Sequence, residues 1–203
     1  MTDTAPARGK LIALEGTGGR SMAVAARRLE RSFRTSRTPA GISTWDSSAI
    51  FLQIVQGGRG VAAPPARTLI LLYAADLAFR LRWQIRPVLD EGTHVIAAPY
   101  LETVVGFGRA AGLSHAWLRR VFAFAPKPDI CYRVPESTIP VNRKGAPSDS
   151  YLEFCLAQLR TGPACWDTEE IRRGFEAHLD RLQSQGKCSL VTTHTPSVVT
   201  AVC

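Results

Sequence analysis

A glycine-rich turn followed by a basic residue and a hydroxyl is the part of this chain whose residue types best fit a chemical role. Five residues of the segment could contact an anion: Gly16, Gly18, Gly19, Arg20 and Ser21. Backbone N–H groups of such a turn, with the start of a helix behind them, form a concave site for phosphate. We therefore predict that this turn binds phosphate groups.

The residues on either side of the turn predict the elements that would hold it in place. Residues 11–14 form an uninterrupted apolar run, which is typical of a buried strand. From Met22 to Phe33, apolar residues recur at the spacing of one helix face. A strand, a glycine turn and a helix in this order are the context in which a phosphate-binding loop functions. The alternative interpretation is a plain glycine turn between a strand and a helix.

The turn differs from a complete phosphate-binding loop in two ways. The complete motif has glycine, four residues, glycine, lysine and then serine or threonine. Here only Thr17 and Gly18 separate Gly16 from the next glycine, so the loop is two residues short. Arginine occupies the lysine position, and its guanidinium is a broad planar group rather than a compact point charge. We expect a loop with fewer available N–H groups and weaker phosphate binding.

Composition limits the class of protein. The chain has 203 residues, 45% of them hydrophobic and 21% charged, which is ordinary for a globular domain. We expect a polar, disordered leader at 1–9 and a single α/β domain at 10–203. The formal net charge of +8 predicts a surface that attracts anions such as nucleotides. Because no long block of lysine and arginine occurs, nucleic acid is not the expected partner.

Cysteine and histidine usage argues against a metal site and a secreted protein. The five cysteines are widely spaced, odd in number and without a C-x-x-C pair, unlike a zinc site or a disulfide scaffold. The four histidines, His178 among them, show no paired carboxylate and no metal-ligand spacing. No apolar run approaches the roughly 20 residues of a membrane span, and residues 1–9 lack a signal-peptide core. We expect a cytoplasmic protein in which no side chains form a metal site and which has no membrane partner.

The rest of the chain alternates between predicted strands and helices. Strands are predicted at 42–45, 94–98, 130–134 and 189–193, and helices at 49–55, 68–89, 101–111, 114–122, 150–160 and 168–185. Asp46, Ser47 and Ser48 have the residue types of a helix N-cap. Pro87 is expected to bend or end the long helix, and Gly92 to stop it. The alternation predicts a mainly parallel sheet of about five strands flanked by helices on both faces.

The order of these landmarks resembles the thymidylate kinase family of P-loop nucleoside-monophosphate kinases. LIALEG at 11–16 is similar to the family's first strand, and LLYAAD at 71–76 to the helix bearing the base-stacking aromatic residue. VIAAPY at 95–100 stands where the family has a strand running into Asp-Arg-Tyr, and PKPD at 126–129 resembles the entry to the next strand. The resemblance covers about residues 10–135. It implies a three-layer P-loop NTPase fold and transfer of a phosphoryl group from ATP to dTMP, with ATP and Mg²⁺ as cofactors if nucleotide binding is retained and none otherwise.

The resemblance also implies site residues and an assembly. Tyr73, Tyr100 and Phe107 match aromatic positions around the family's base pocket. Packing in the core is the alternative for Tyr73 and Phe107, and it is slightly favoured because Leu77 replaces the family's base-reading arginine. The family forms dimers through its long helices, and the apolar stretch at 69–79 permits a homodimer of this chain.

Several charged groups that the family uses are replaced. Ala98 and Pro99 occupy the positions of the Asp-Arg pair, and Trp45 and Asp46 stand where an arginine grips the monophosphate. Losing one preorganised charge-stabilising group commonly costs about 10²–10³ in rate. We therefore expect a thymidylate-kinase-like protein with weak or no phosphoryl transfer.

Two alternatives stay open. The first is an active nucleoside-monophosphate kinase with a rearranged site, in which Arg20 contacts a phosphate and Glu15 or Asp46 binds a metal. The second is a basic nucleic-acid-associated or scaffold module that uses the net charge of +8. Arg143 and Lys144 lie where the family has a mobile lid with arginines, but we interpret them as part of a solvated loop.

Overall fold

The fold is a parallel β-sheet with helices on both faces, as seen in a computed structural model that describes residues 7–57, 63–135, 150–161 and 166–191. The five strands of these ranges are β1 (Leu11–Glu15), β2 (Ala40–Thr44), β3 (His94–Ala98), β4 (Ile130–Arg133) and β5 (Ser189–Leu190). They are arranged in the order β2-β3-β1-β4-β5, and every pairing is parallel. The predicted parallel sheet of about five strands is confirmed.

Helices connect the strands. They are α1 (Gly19–Thr35), α2 (Ile50–Gly57), α3 (Ala66–Arg80), α4 (Arg86–Asp90), α5 (Leu101–Ala110), α6 (His115–Val121), α7 (Tyr151–Thr161) and α8 (Thr168–Ser184). The second strand, predicted at 42–45, begins two residues and ends one residue earlier in the structure, at Ala40–Thr44. Residues 192–193 of the predicted last strand lie outside the described ranges. None of the helices in the described parts of the chain has both the length and the apolar character needed to cross a membrane.

Alternating side chains of β1 divide the interior into two cores. Leu11 and Ala13 point to the larger core, together with the buried residues of helices α2 to α8. Ile12 and Leu14 point to the opposite face, where the buried side of α1 packs. Because successive strand residues face opposite sides, an all-apolar strand such as β1 requires helices on both faces.

The long helix continues through Pro87 instead of ending there. Between α3 and α4 lies a π-helical segment, Leu81–Ile85, in which the N–H of Arg86 donates to the carbonyl of Leu81. A π turn adds one residue, and this wider turn accommodates a proline that lacks an N–H and would crowd an α-helical carbonyl. Gly92 follows the helix with φ of 82°, a conformation that glycine adopts without strain, and it ends the helix as predicted.

Within the described residues, a single disulfide bond joins β4 to the start of β5, a pairing that the cysteine spacing did not indicate. Cys131 lies on β4 and Cys188 immediately precedes β5, with Cα atoms 4.6 Å apart. Parallel pairing of neighbouring strands brings the two residues together although 57 positions separate them. Cys155 is a buried free thiol, and Cys165, Cys203 and the Arg143–Lys144 pair lie outside the described residues.

Candidate functional site

The candidate site lies at the carboxyl edge of the sheet, where the loops after β1, β2 and β3 meet. All paired strands run in the same direction, so their carboxyl ends are at one edge. After β1 the turn contains only residues 16–18, because α1 already begins at Gly19. Arg20 and Ser21 are therefore in the first turn of the helix, and the Arg20 side chain is exposed.

The glycine turn is tightly packed by its neighbours. The N–H of Gly16 donates to the Thr103 hydroxyl at 3.2 Å. A Cβ on Gly16 would lie 2.5 Å from the carbonyl oxygen of Val134, which explains why only glycine fits there. The carbonyl of Thr17 accepts a hydrogen bond from Ser150 at 2.5 Å. Phosphate binding stays a prediction for the five residues named above, Gly16, Gly18, Gly19, Arg20 and Ser21. The N–H of Gly16 is already bound to the Thr103 hydroxyl.

Glu15, the last residue of β1, is fully buried and caps the start of α5. Its carboxylate accepts the backbone N–H groups of Tyr100, Glu102 and Thr103 at 3.4, 3.0 and 2.9 Å. It also accepts the Thr103 hydroxyl at 2.7 Å. A carboxylate at this position satisfies N–H groups that a helix start leaves unpaired. Glu15 thus fixes the chain that follows β3 relative to the glycine turn.

Burial makes ionisation of Glu15 costly. Desolvation, assisted by the nearby charge of Glu102, outweighs the donated hydrogen bonds and raises the pKa of Glu15 to about 7. The group therefore changes charge in the neutral pH range. A carboxyl held by four protein donors has little capacity left for a metal ion.

A buried ion pair on α3 holds the loops after β2 and β3. Arg80 Nε lies 3.2 Å from Asp76 Oδ2, without hydrogen-bond alignment, and both side chains are 0% exposed. The Arg80 guanidinium also donates to the Pro99 carbonyl at 3.2 Å and to the Tyr73 hydroxyl at 3.0 Å. Asp76 accepts from the N–H of Asp46 at 3.1 Å and from the N–H and hydroxyl of Ser48. The charged groups of Arg80 and Asp76 are therefore both engaged in contacts within the protein.

Asp46 acts as the predicted cap of the helix after β2. Its carboxylate accepts the N–H groups of Phe51 and Leu52 at 2.8 and 3.0 Å, in the first turn of α2. The backbone of Asp46 has a φ of 57°, which is uncommon outside glycine but tolerated by aspartate. Ser48 contributes through Asp76 instead of capping the helix itself. Asp46, which stands where the family has an arginine that binds the monophosphate, therefore stabilises the start of α2.

The three aromatic residues assigned to a base pocket lie in the core. Tyr73, Tyr100 and Phe107 are each 0% exposed. The Tyr73 hydroxyl donates to the Tyr100 carbonyl at 2.6 Å, and the Tyr100 hydroxyl donates to the Pro126 carbonyl at 2.8 Å. Phe107 packs edge-to-face against Tyr151. Base binding by these residues stays a prediction, while their contacts match the core alternative.

Sequence reasoning missed two polar pairs at this end of the molecule. Arg80 follows Asp76 by four residues on an apolar helix, and that spacing is a readable sign of an ion pair. The expectation that no histidine pairs with a carboxylate was wrong: His178 Nε2 lies 2.9 Å from Glu102 Oε2. The 76 residues between these two partners gave no sign in the sequence, because only the packing of α5 on α8 joins them.

The carboxylates at this edge are poorly placed to hold the Mg²⁺ of an ATP complex. Magnesium in nucleotide sites is usually bound by one or two free carboxylates together with substrate phosphates and water. Glu15, Asp46 and Asp76 each accept several protein hydrogen bonds. Within the described ranges, no group of three histidine, cysteine, aspartate or glutamate side chains could hold a metal ion. The three-residue glycine turn likewise offers a smaller phosphate cradle than the complete motif.

The known proteins to which this chain is similar in sequence include several thymidylate kinases. No family model matches the chain. It is 42% identical over 60 residues to a probable thymidylate kinase of Pyrococcus abyssi, covering 30% of this chain and 29% of the relative. It is 27% identical over 127 residues to probable thymidylate kinase 2 of Saccharolobus solfataricus, covering 63% and 59%. A thymidylate kinase of Leifsonia xyli subsp. xyli is 35% identical over 106 residues, covering 49% and 48%. Each match spans less than two thirds of the relative.

Proposed function

We propose that this chain, which is related to the thymidylate kinases, is a thymidylate-kinase-like protein with weak or no transfer of a phosphoryl group from ATP to dTMP. The observation that carries this proposal is that the buried charged groups at the carboxyl edge are all engaged in contacts within the protein. Arg80 is paired with Asp76 and bound to the Pro99 carbonyl, and Glu15 caps α5. Phosphoryl transfer depends on charged groups that are free to contact phosphate and metal.

The replaced family positions support the same proposal. Ala98 and Pro99, at the end of β3, provide a methyl group and a proline ring where the family has Asp-Arg. Neither side chain can accept a proton or bind an anion. Together with the short glycine turn, these replacements remove several groups that would stabilise developing charge. Their effects do not multiply independently, but they all act in the same direction.

The test is an assay of ADP formation with ATP, Mg²⁺ and dTMP, run beside an active thymidylate kinase. We expect a turnover number at least about 10³-fold below that of the active enzyme. We also expect no change in melting temperature on adding ATP–Mg²⁺ or dTMP at millimolar concentration, because little affinity remains.

A rearranged active site would give a different result. The Thr17 hydroxyl is buried without a hydrogen-bond partner among the described residues, and Arg20, three positions further along the chain, is exposed. If these groups bind phosphate, ADP will form at a rate that depends on a nucleoside monophosphate. Arg20→Ala would then lower that rate, whereas Arg28→Ala, further along α1, would serve as an unaffected control. Such a result would replace the proposal with the alternative of an active kinase.

We also propose that the chain forms a homodimer through the solvent-facing side of α3 and the π-helical segment. Leu71 is 48% exposed, Phe79 39% and Trp83 65%. These residues follow one another at multiples of four positions, so they form one apolar strip on the helix. An apolar strip of this kind is typical of an interface between subunits.

Sedimentation velocity at micromolar concentration tests the dimer. We expect a dimer for the unmodified chain and a monomer for Trp83→Glu, because the new carboxylate would be buried without a partner. Val24→Glu is the matched control, since Val24 is 43% exposed but lies on α1 at the opposite face of the sheet. A monomeric unmodified chain, or equal dissociation of both variants, would refute this interface.

A further inference from the structure

The positive charge of this protein is concentrated on α1 and the turn that follows it. Between residues 20 and 37 there are six arginines and one glutamate, so this segment supplies five of the eight net positive charges. The arginines are Arg20, Arg27, Arg28, Arg31, Arg34 and Arg37, and all are exposed. The remaining 185 residues carry the other three charges. Such segregation differs from the evenly mixed charges of an ordinary solvated surface.

Four of these arginines form a straight line along α1. Arg20, Arg27, Arg31 and Arg34 are seven, four and three positions apart. At 3.6 residues per turn they fall within an arc of about 60° and span about 21 Å along the axis. We call this set the arginine stripe.

The arginine stripe is largely free of neutralising partners. Its only ion pair in the described part of the chain joins Arg34 to Glu30 at 3.9 Å. The opposite side of α1 is buried in the smaller core through Met22, Ala26, Leu29 and Phe33. Every other helix with buried residues in the described ranges contributes to the larger core, across the sheet. The stripe therefore faces solvent without another helix beside it in these ranges.

We propose that the arginine stripe binds the phosphate backbone of a nucleic acid without reading its sequence. Guanidinium groups match phosphate oxygens in a bidentate geometry. A line of four such groups suits a linear polyanion, and charge alone supplies nearly all of non-specific nucleic-acid affinity. The exposed residues of α1 include no asparagine, glutamine or aromatic side chain that could recognise bases.

Two other kinds of partner fit the stripe less well. A basic helix binds a membrane surface by inserting its apolar face, but the apolar face of α1 is already in the core. A protein partner normally requires apolar or aromatic anchors at the centre of the interface. The single large apolar side chain exposed on this helix is Val24.

Fluorescence anisotropy with a labelled DNA duplex of about two helical turns tests the proposal. Four phosphate contacts predict a slope of log K against log salt of about −3 to −4. We expect Arg27→Glu/Arg31→Glu to weaken binding at least about tenfold at low salt and to make the slope less steep by about two. Duplexes of unrelated sequence should bind equally, because no base is read.

The control variant keeps the total charge of the mutant and changes its location. Arg119→Glu/Arg120→Glu makes the same charge change at two exposed arginines of α6. We expect this control to bind DNA with an affinity within about threefold of the unmodified chain. Both variants should have the melting temperature of the unmodified chain, since all four residues are exposed.

Equal loss of affinity in the control would show attraction by net charge alone. Tighter binding of a polyglutamate peptide than of the duplex would assign the stripe to an acidic protein. Either result would overturn the proposal.

Discussion

Asp76→Ala is expected to lower the free energy of unfolding by about 3–5 kcal/mol, the largest effect of any single substitution considered for this protein. The mutation removes the only carboxylate within 4 Å of Arg80 in the described ranges and leaves a guanidinium with no solvent exposure beside it. It also removes the acceptor for the N–H groups of Asp46 and Ser48. Urea denaturation monitored by circular dichroism measures the change.

Two further variants separate the possible causes. Asp90→Ala removes an aspartate whose side chain is 70% exposed and pairs with Arg8 at the surface, so it should cost no more than about 1 kcal/mol. In Asp76→Ala/Arg80→Leu the stranded charge is also removed, and we expect part of the stability to return. If Asp76→Ala were no more harmful than Asp90→Ala, the buried pair would not anchor the loops as described.

The stability of the unmodified chain should fall as pH rises from about 4.5 to 7, by up to about 3 kcal/mol from Glu15. The pKa of Glu15 is raised from 4.5 to about 7 in the folded state, mainly by burial. Between these values the folded chain retains a proton that the unfolded chain has released. Unfolding therefore releases a proton and becomes easier at higher pH. Denaturation curves at a series of pH values measure the slope.

Glu15→Gln isolates this contribution. The amide cannot ionise, so we expect the variant to lose the part of the pH slope that Glu15 causes. Glu169→Gln, at a side chain that is 68% exposed, should retain the slope of the unmodified chain. An unchanged slope in Glu15→Gln would mean that the carboxylate stays ionised throughout, held by its donors from α5.

The fold was readable from the sequence because its elements have strong local patterns. The apolar runs of β1 and β3 and the helical spacing of α1 predicted those elements to within a few residues. Each strand could be placed in a parallel sheet because helices separate the strands along the chain. Pro87 lies within the predicted helix and does not end it, and the π turn that precedes it could not be predicted from the sequence.

The candidate site was harder to predict because its contacts are long-range. Glu15 meets Thr103 across 88 positions, and His178 meets Glu102 across 76. Residue types alone suggested that Glu15 could bind a metal, whereas the fold directs its carboxylate to backbone N–H groups. Only the i, i+4 relation of Asp76 and Arg80 lay within reach of sequence analysis.

The bond between Cys131 and Cys188 closes residues 131–188 into a covalent ring. α7 and α8 lie inside this ring, while within the described residues β5 is attached to the sheet by two residue pairings and by the Val191 N–H, which donates to the Arg133 carbonyl. If those pairings open, the ends of the ring stay at β4, and both helices remain close to the strands that they cover. Under reducing conditions the same opening would release the C-terminal strand, so the edge of the sheet is tethered most firmly in an oxidising environment.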